Sequence, residues 1–293
     1  MGSVAGGFVK VVAECNGFSA YKIFGVYSSE EIVVSDKALG FAGLGVDMSK
    51  MVNTFTVSTG SELKQYAREG GYLIFVKGNI DMSEGMLPAE GSVMDGSRAT
   101  DKMNAFVANN SKYSTYGEWI KNTTNVSASE KTETTSISNA YKSIIQIVVA
   151  NNTAIIGLDG ACVRGGGSFS IRNVSNVVIR NISLKDAVDP FPHHESGDGW
   201  NAQHDLVSID NGKNIWIDHC TFEDTLTLGK AANGEKLQVY DGLCDMKSTT
   251  TNVTVSNCVF KNHDKTMLIG SSDKDGETDP TARKNFAFLQ LLA

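Results

Sequence analysis

Apolar residues alternate with polar ones in three similar strings that begin 38 residues apart. The strings NVVIRNISLKD, NIWIDHCTFED and NVTVSNCVFKN start at Asn176, Asn214 and Asn252. Within each string the apolar positions repeat every second residue, and after a polar break the alternation resumes, which is typical of half-buried β-strands. A unit this short cannot bury its own apolar face. The fixed interval therefore predicts a solenoid in which each copy covers its neighbour.

One slot of the repeat carries a polar side chain in all three copies. Asn181, His219 and Asn257 occupy this slot. If the copies stack as parallel strands, successive side chains lie about 4.8 Å apart and each can bond to the next. We interpret the slot as a turn-stabilising ladder and leave His219 out of the candidate catalytic residues.

The segments before the repeat are less regular. The string from Thr59 to Glu62 predicts a capping box that opens a short helix, which ends at Gly70-Gly71. The apolar run from Tyr72 predicts a buried strand. The segment of about 82–140 is polar and rich in Ser, Thr and Asn, so we expect a long excursion or flexible loop rather than part of a core. Residues 1–35 show no clear period and are left unassigned.

Two further asparagines extend the repeat. Asn152 lies 24 residues before Asn176, which predicts a shorter coil of the same solenoid. Asn285 opens a string that resembles the start of another copy, and the chain stops at Ala293 inside that coil. Because a solenoid that stops inside a coil exposes an apolar cross-section, we expect a truncated or frame-shifted form of a longer parent.

Composition and charge argue against some classes of binding partner. The 293 residues carry a net charge of -7, which argues against a nucleic-acid partner and means that an acidic polymer is repelled unless cations intervene. No stretch has the apolar length of a membrane span, so we expect no membrane partner. The apolar run Val4–Ala13 is interrupted by Lys10 and follows no basic residue, which makes it a poor signal peptide.

The five cysteines show no C-x-x-C spacing. Cys220 and Cys258 share a slot of the repeat. They could stack as small apolar residues or pair as a disulfide, and we favour buried free thiols.

Three aspartates are candidates for a metal site. Leu243 lies one repeat period of 38 after Asp205 and midway between Asp241 and Asp245, so stacking would crowd three carboxylates together. Like charges at short range raise each other's pKa unless a cation lies between them. An all-oxygen set favours calcium over zinc. In a straight strand Asp241 and Asp245 would be about 13 Å apart, so this interpretation requires a bend at 242–244, and solvated surface acids remain the alternative.

The other polar candidates are single residues. Lys265 follows the third copy and is either a salt-bridge partner of the aspartates or a positive group that meets an acidic sugar. His193 and His194 lie in a Pro-flanked loop and are interpreted as structural or solvated. His204 could tune a ligand at Asp205 or be exposed.

Four strings in this order resemble the bacterial pectate lyases of the right-handed parallel β-helix type: ESGDGWNAQHD, NIWIDHCTF, YDGLCDMK and HDKTMLIGSSD. The resemblance covers roughly 37–283. It implies an all-β, right-handed parallel β-helix over 36–293 with a short N-terminal helix cap, an excursion at about 82–140 and an incomplete C-terminal end. It also implies a secreted monomer. On this resemblance the calcium-ligand positions are Asp205, Asp241 and Asp245, and the substrate-binding, charge-stabilising lysine of the catalytic site is Lys265.

The implied activity is calcium-dependent cleavage of (1→4)-α-D-galacturonan (polygalacturonate) by β-elimination. Calcium withdraws electron density from the sugar carboxylate, a base removes the C5 proton, the C4 oxygen leaves, and Lys265 stabilises the developing charge. In the family an arginine within an Arg-x-Pro-Arg-like segment abstracts the proton, and nothing after Arg283 matches that segment. Because that arginine segment is missing, we expect a lyase-like chain with little or no turnover. Gln203 stands at a position that is acidic in some members, and it is left out of the calcium ligands.

Three other functions compete with this one. The main alternative is a non-catalytic solenoid that binds acidic polysaccharide through calcium. A β-helical polygalacturonase needs paired aspartates around a water, and the Asn-Thr-Asp and Gly-His-Gly strings expected there are absent. Pectin lyases, which work without calcium, are disfavoured because Asp241 and Asp245 are both retained.

Overall fold

The computed structural model describes residues 7–15, 18–26, 37–123, 128–158, 160–166, 168–195, 199–231, 234–272 and 285–292, with side chains from residue 37 onward except those of 128–130. The described strands are β1 Gly7–Cys15, β2 Phe18–Val26, β3 Asn53–Val57, β4 Tyr72–Val76, β5 Asn79–Asp81, β6 Val93–Met94, β7 Ile147–Val148, β8 Thr153–Gly157, β9 Cys162–Arg164, β10 Phe169–Arg172, β11 Ser175–Arg180, β12 Ser183–Lys185, β13 His193–Glu195, β14 Gly199–Asn201, β15 Val207–Asp210, β16 Lys213–Asp218, β17 Thr221–Glu223, β18 Thr227–Leu228, β19 Cys244–Lys247, β20 Thr251–Ser256, β21 Val259–Lys261 and β22 Phe286–Leu289. The α-helices are α1 Gly60–Glu69, α2 Asp101–Asn110, α3 Tyr116–Asn122 and α4 Ala128–Ile145, and two 3₁₀ turns cover Gly40–Leu44 and Met48–Lys50.

The repeat builds the turns of a parallel β-helix. Each copy supplies a long strand and a short one, and the same slots of successive copies pair side by side: Val177 lies opposite Ile215, which lies opposite Val253. Three parallel sheets result, with strand orders β3-β4-β8-β11-β16-β20-β22, β5-β9-β12-β17-β21 and β7-β10-β15-β19. Asn152 precedes the shorter coil that was predicted, because β8 pairs with β11 at an offset of 24 residues. Asn285 precedes β22, which pairs in parallel with β20 as its sequence predicts.

In the interior, residues at equivalent positions of successive coils pack on one another. Phe222 and Phe260 stack at a centroid distance of 4.8 Å and almost parallel, and the apolar alternation seen in the sequence is the inward-facing set. Cys220 and Cys258 are buried free thiols in neighbouring coils, so the favoured interpretation of these cysteines is confirmed. The core is therefore built by repetition along the axis, as expected for a solenoid.

The predicted polar ladder lies in a different slot. Asn181, His219 and Asn257 all have φ of 52°, a left-handed conformation that Asn and His adopt more readily than most residues. Their side chains do not bond to one another in a row: the Asn181 amide donates to the backbone oxygen of Gly157, and the Asn257 amide donates to Asp218. The prediction of a ladder at this slot is therefore wrong.

Amide-to-amide bonds form instead at the asparagine that opens each copy. The Nδ2 atom of Asn176 donates to Asn152, that of Asn252 donates to Asn214, and that of Asn285 donates to Asn252, all at 2.8–2.9 Å. These residues also have positive φ. Each asparagine thus turns the chain and ties one coil to the next.

The segment of about 82–140 is not a loop. Helices α2, α3 and α4 lie there and bury a second cluster that includes Tyr116, Trp119 and Tyr141. Thr100 and Thr115 cap α2 and α3 by accepting backbone N–H groups. The segment is a long excursion, but the expectation of a flexible loop outside any core is wrong, because two of its threonines cap helices and several of its Ser and Thr residues lie inside α4.

Helix α1 begins with the predicted capping box. The Thr59 hydroxyl accepts the backbone N–H of Glu62, and the Glu62 carboxylate accepts the backbone N–H of Thr59. Leu63 and Ala67 on the inner face of the helix are fully buried against the β-helix core. The helix therefore covers apolar residues near the start of the solenoid.

Removing this cap has a modest expected cost. Thr59→Ala should lower the free energy of unfolding by about 1 kcal/mol, since one N-terminal N–H loses its acceptor. Urea unfolding measures the change, and the exposed neighbour Ser61, replaced by alanine, serves as control with an expected change below about 0.5 kcal/mol. Equal losses in the two variants would contradict a role for the capping box.

Two remaining features concern the ends and the class of the chain. Strands β1 and β2 form an antiparallel hairpin within the N-terminal segment that was left unassigned. The division at residue 36 stays a prediction. None of the helices in the described ranges has the length and apolar character needed to cross a bilayer.

Candidate functional site

The register of one strand pair positions the aspartates. Strand β19 pairs with β15 at an offset of 37 residues, with Val207 opposite Cys244, whereas β20 pairs with β16 at 38. Leu206 N–H donates to the Gly242 carbonyl, so Asp205 lies level with the 241–242 step and not with Leu243. The expected position is therefore wrong by one residue, because an extra residue lies in the turn between β19 and β20.

Asp205 and Asp245 converge on one lysine. Both carboxylates are buried, and their Oδ2 atoms lie 3.2 Å and 3.4 Å from Lys247 Nζ. Asp205 Oδ1 accepts the Gly242 N–H at 3.1 Å, and Asp245 Oδ1 accepts the Leu268 N–H at 3.1 Å. These bonds fix two carboxylates around a single positive charge.

Asp241 lies at the edge of this pair. Strand β19 begins at Cys244, so Asp241 precedes the strand and the straight-strand separation does not apply. Its Oδ1 is 3.5 Å from Lys265 Nζ, and the Lys265 side chain is about half exposed. The structure thus joins Asp241 to Lys265 and joins Asp205 to Asp245 through Lys247.

A buried histidine holds the backbone at Asp241. His263 Nε2 lies 2.7 Å from the Asp241 carbonyl oxygen, and its Nδ1 bonds to the Asp224 carboxylate. Because a carbonyl only accepts, Nε2 carries the proton in this contact. Burial lowers the pKa of His263, but the hydrogen bond and charge of Asp224 outweigh burial and raise it overall.

The electrostatics of the cluster favour an added cation. Burial, followed by the charge of Asp205, raises the pKa of Asp245 to about 6. The same two causes, in the same order, raise the pKa of Asp241. Burial lowers the pKa of Lys247, but the charges of Asp205 and Asp245 outweigh burial and raise it. Burial and the neighbouring Asp205 together therefore disfavour the charged forms of Asp241 and Asp245 more than the nearby lysines favour them.

The donor set fits a hard divalent cation. Among the residues that the structure describes, no three His, Cys, Asp or Glu side chains are already gathered as a metal cluster, because Asp241 is turned toward Lys265. A Cβ at Gly242 would collide with the Oδ1 atoms of both Asp205 and Asp245, so the glycine leaves the space between the two carboxylates open. Carboxylate oxygens are the ligands that calcium prefers.

Two side chains of the candidate site, Lys247 and His263, were not predicted from the sequence. Lys247 follows Asp245 by two residues on β19, and the strand period of two places them on one face, a signal that could have identified it. His263 precedes Lys265 by two residues, but its contact with the Asp241 carbonyl comes from the chain path and has no sequence signal.

The other polar candidates lie outside the carboxylate pair. His204 is buried, not exposed, and its ring lies near Tyr141 at a centroid distance of 6.4 Å. Gln203 is exposed and its backbone N–H donates to Asp189. His194 Nε2 bonds to Glu235 at 2.9 Å, and His193 begins the short strand β13.

Two cavities are lined by Lys265 or His263, the residues that contact Asp241. One of about 640 Å³ is lined by Lys265 together with His194, Trp200 and Lys236. The other, of about 460 Å³, is lined by Asp224, Tyr240 and His263 among others. Clefts of this size suit small ligands or short segments of a polymer.

Comparison with known proteins identifies one family. The family model described as pectate lyase matches residues 72–289. Pectate lyase E of Dickeya dadantii (strain 3937) is 46% identical over 137 residues, which is 46% of this chain and 34% of that protein. Pectate lyase of Bacillus subtilis (strain 168) is 37% identical over 145 residues, covering 47% of this chain and 34% of that protein. The matched part thus spans about a third of the length of these curated relatives.

Solved structures of the same family share the fold. A Bacillus subtilis pectate lyase variant superposes with a TM-score of 0.66 and 27% identity, covering 86% of this chain and 66% of that chain. A pectate lyase bound to a hexasaccharide gives a TM-score of 0.64 and 26% identity, covering 86% of this chain and 66% of that chain. The right-handed parallel β-helix is therefore the fold of this chain.

Proposed function

Because this chain belongs to the pectate lyase family, we propose that it acts on polygalacturonate by calcium-dependent β-elimination at the Asp205, Asp241 and Asp245 cluster. The single observation that carries the proposal is the convergence of the buried Asp205 and Asp245 carboxylates on one ammonium group. One pectate lyase of this fold has been solved with a bound hexasaccharide, which supports an oligosaccharide ligand. We also propose that the protein is secreted and acts as a monomer, as the family resemblance implies.

In this proposal each side chain has a defined task. Asp205 and Asp245 would hold calcium together with Asp241, and Lys265 would bind the substrate. Bound calcium would withdraw electron density from the C5 carboxylate of a galacturonate unit and acidify its C5 proton. A base takes that proton, the C5–H electron pair forms the C4–C5 double bond, and the C4–O bond breaks with its electron pair leaving on the oxygen, which takes up a proton from solvent.

Lys265 stabilises charge in this scheme. Its side chain is about half exposed, lines the 640 Å³ cavity and lies 3.5 Å from Asp241. An ammonium group in this place can pair with the substrate carboxylate and balance the negative charge that develops when C5 loses its proton. His263 positions Asp241 by fixing its carbonyl oxygen.

A calcium-dependent binding protein without turnover is the second candidate. Three arginines are engaged in the wall of the β-helix: Arg164 with Asp186, Arg172 with Asp210 and Arg180 with Asp218. The resemblance assigns proton abstraction to an arginine. These contacts hold Arg164 and Arg180 in the wall as buried ion pairs, and the expectation of little turnover stays a prediction.

The two candidates differ in a single experiment. The purified chain is mixed with polygalacturonate and calcium, and two quantities are measured: retention on immobilised polymer and ultraviolet absorbance of the unsaturated product. Retention with product formation supports the lyase, and retention without product supports the binding protein. No calcium-dependent retention would contradict both.

Lys265 provides the test of the site. Lys265→Ala should weaken binding of polygalacturonate about tenfold, the expected loss of one charge-assisted contact. The exposed Lys261 on β21 lines neither cavity beside the cluster, so Lys261→Ala is the matched control and should bind like the unaltered chain. Equal weakening in the two variants would place the substrate elsewhere.

A further inference from the structure

The two cavities beside the carboxylate cluster share one wall. Lys236, Gln238 and Asp264 line both of them. On one side the wall faces Lys265 and Trp200, and on the other it faces the His263 and Asp224 pair. An extended ligand that starts at Lys265 therefore meets this wall along its path.

The wall is held in place by alternate residues. Leu237 and Val239 are fully buried in the second apolar cluster, whereas Lys236 is exposed and Gln238 is half-buried, so the polar side chains face the cavities. Leu237 N–H donates to the Gly229 carbonyl at 3.0 Å, and Lys236 forms an antiparallel bridge with Lys230. The anchored backbone gives the Lys236 side chain a defined origin.

The charges of the wall suit a uronate unit. Lys265 is paired with Asp241, but Lys236 makes no ion pair with any carboxylate in the described ranges of the chain. In a protein of net charge -7, a lysine without such a partner at a cavity is available to an anionic ligand. Gln238 Nε2 donates to the Tyr240 carbonyl at 3.0 Å, so its Oε1, with the Asp264 carboxylate, offers an acceptor for sugar hydroxyls beside that ammonium.

We infer that Lys236, Gln238 and Asp264 form a second sugar subsite, in which Lys236 pairs with the carboxylate of a galacturonate unit other than the one at Lys265. The inference rests on the proposed function, because it takes polygalacturonate as the ligand. The subsite adds a charged contact remote from the reacting bond. It therefore favours long, unesterified oligomers over short or methyl-esterified ones.

The test compares Lys236 with its bridge partner. Binding of hexagalacturonate to the full chain in calcium is measured by titration calorimetry for the unaltered protein and for Lys236→Ala, Lys236→Arg and Lys230→Ala. Lys236→Ala should weaken binding about tenfold, and Lys236→Arg should keep most of the affinity because the charge remains. Lys230 is also exposed on this hairpin but lines neither cavity, so Lys230→Ala should change the dissociation constant less than about twofold.

The outcomes separate the inference from the proposed function. Binding that Lys236→Ala and Lys230→Ala weaken equally overturns the subsite alone. Equal weakening of hexagalacturonate and of its fully methyl-esterified form by Lys236→Ala also overturns it, since the contact then does not involve a carboxylate. Absence of binding by the unaltered chain overturns the proposed function, and the subsite with it.

Discussion

Replacing Asp218 by alanine is expected to lower the free energy of unfolding by about 3–5 kcal/mol, the usual cost of breaking a buried ion pair by removing one partner. Asp218 and Arg180 are both almost fully buried, and Arg180 Nη2 lies 2.7 Å from Asp218 Oδ2. The 38-residue period pairs them across two coils, and Ser256 of the next coil donates to Asp218 Oδ1 at 2.6 Å. Removal of the carboxylate takes an ion-pair partner at 2.7 Å away from the buried guanidinium.

A second cross-coil pair of the same chemistry provides the control. Arg172 and Asp210 also pair directly across two coils at the same spacing, with 3.3 Å between Arg172 Nε and Asp210 Oδ2, but the Arg172 side chain is 71% exposed. Asp210→Ala should therefore cost less than about 1 kcal/mol. Urea unfolding of both variants measures the contrast. Similar losses for Asp210 and Asp218 would show that burial does not decide the contribution of these pairs.

The contribution of Asp218 to stability depends on pH in a definite direction. Burial would raise the pKa of Asp218, but the hydrogen bond from His219, the charge of Arg180 and the bonds from Ser256 and Asn257 outweigh it and lower the pKa to about 2. Since the folded pKa lies below the ordinary value of 3.8, the carboxylate stabilises the fold above about pH 4 and loses this contribution as the pH falls toward 2. The stability difference between the unaltered chain and Asp218→Asn should shrink over that window.

The repeat explains which parts of the fold the sequence could predict. Apolar alternation at a constant spacing identifies inward-facing residues such as Val177, Ile215 and Val253, because a stacked coil repeats its own slots. The length of a turn leaves no such trace. The extra residue between Lys247 and Thr251 therefore shifted Asp205 by one position relative to the expectation.

The helical insertion shows a different limit. Serine and threonine are favoured both in loops and at helix N-termini, so composition alone does not separate the two. Thr100 and Thr115 are caps, and the buried Trp119 and Tyr141 between the polar stretches were the signal of a core. Aromatic residues at helical spacing would have been the better guide.

The candidate site was only partly accessible for a related reason. Asp205, Asp241 and Asp245 could be selected because the repeat brings distant residues to one level. Side-chain direction is set by contacts that the spacing does not contain, such as the hydrogen bonds of Gly242 and Leu268 to the two buried carboxylates. The turn of Asp241 toward Lys265 belongs to the same class.

Calcium is expected to stabilise the unaltered chain and to leave Asp245→Asn almost unchanged. If the ion binds the folded state alone, a concentration 100 times the dissociation constant adds about 2.7 kcal/mol to the free energy of unfolding. Loss of a ligand carboxylate should weaken calcium at least about 100-fold, since even outer-shell partners contribute 10–100-fold. Thermal unfolding with calcium and with magnesium measures the shift. Asp210 is a half-buried aspartate outside the cluster, so Asp210→Asn should respond to calcium like the unaltered chain.

The pH dependence of this effect follows from the raised pKa of Asp245. Its folded pKa of about 6 exceeds the ordinary 3.8, so in the absence of calcium this group stabilises the fold below about pH 4 and loses that contribution as the pH rises through 6. Calcium competes with the proton for the same carboxylate. The stabilisation by calcium should therefore be small at pH 5, increase through pH 6 and become constant above about pH 7. A calcium response that is independent of pH, or that persists in Asp245→Asn, would show that calcium binds away from the buried carboxylate pair.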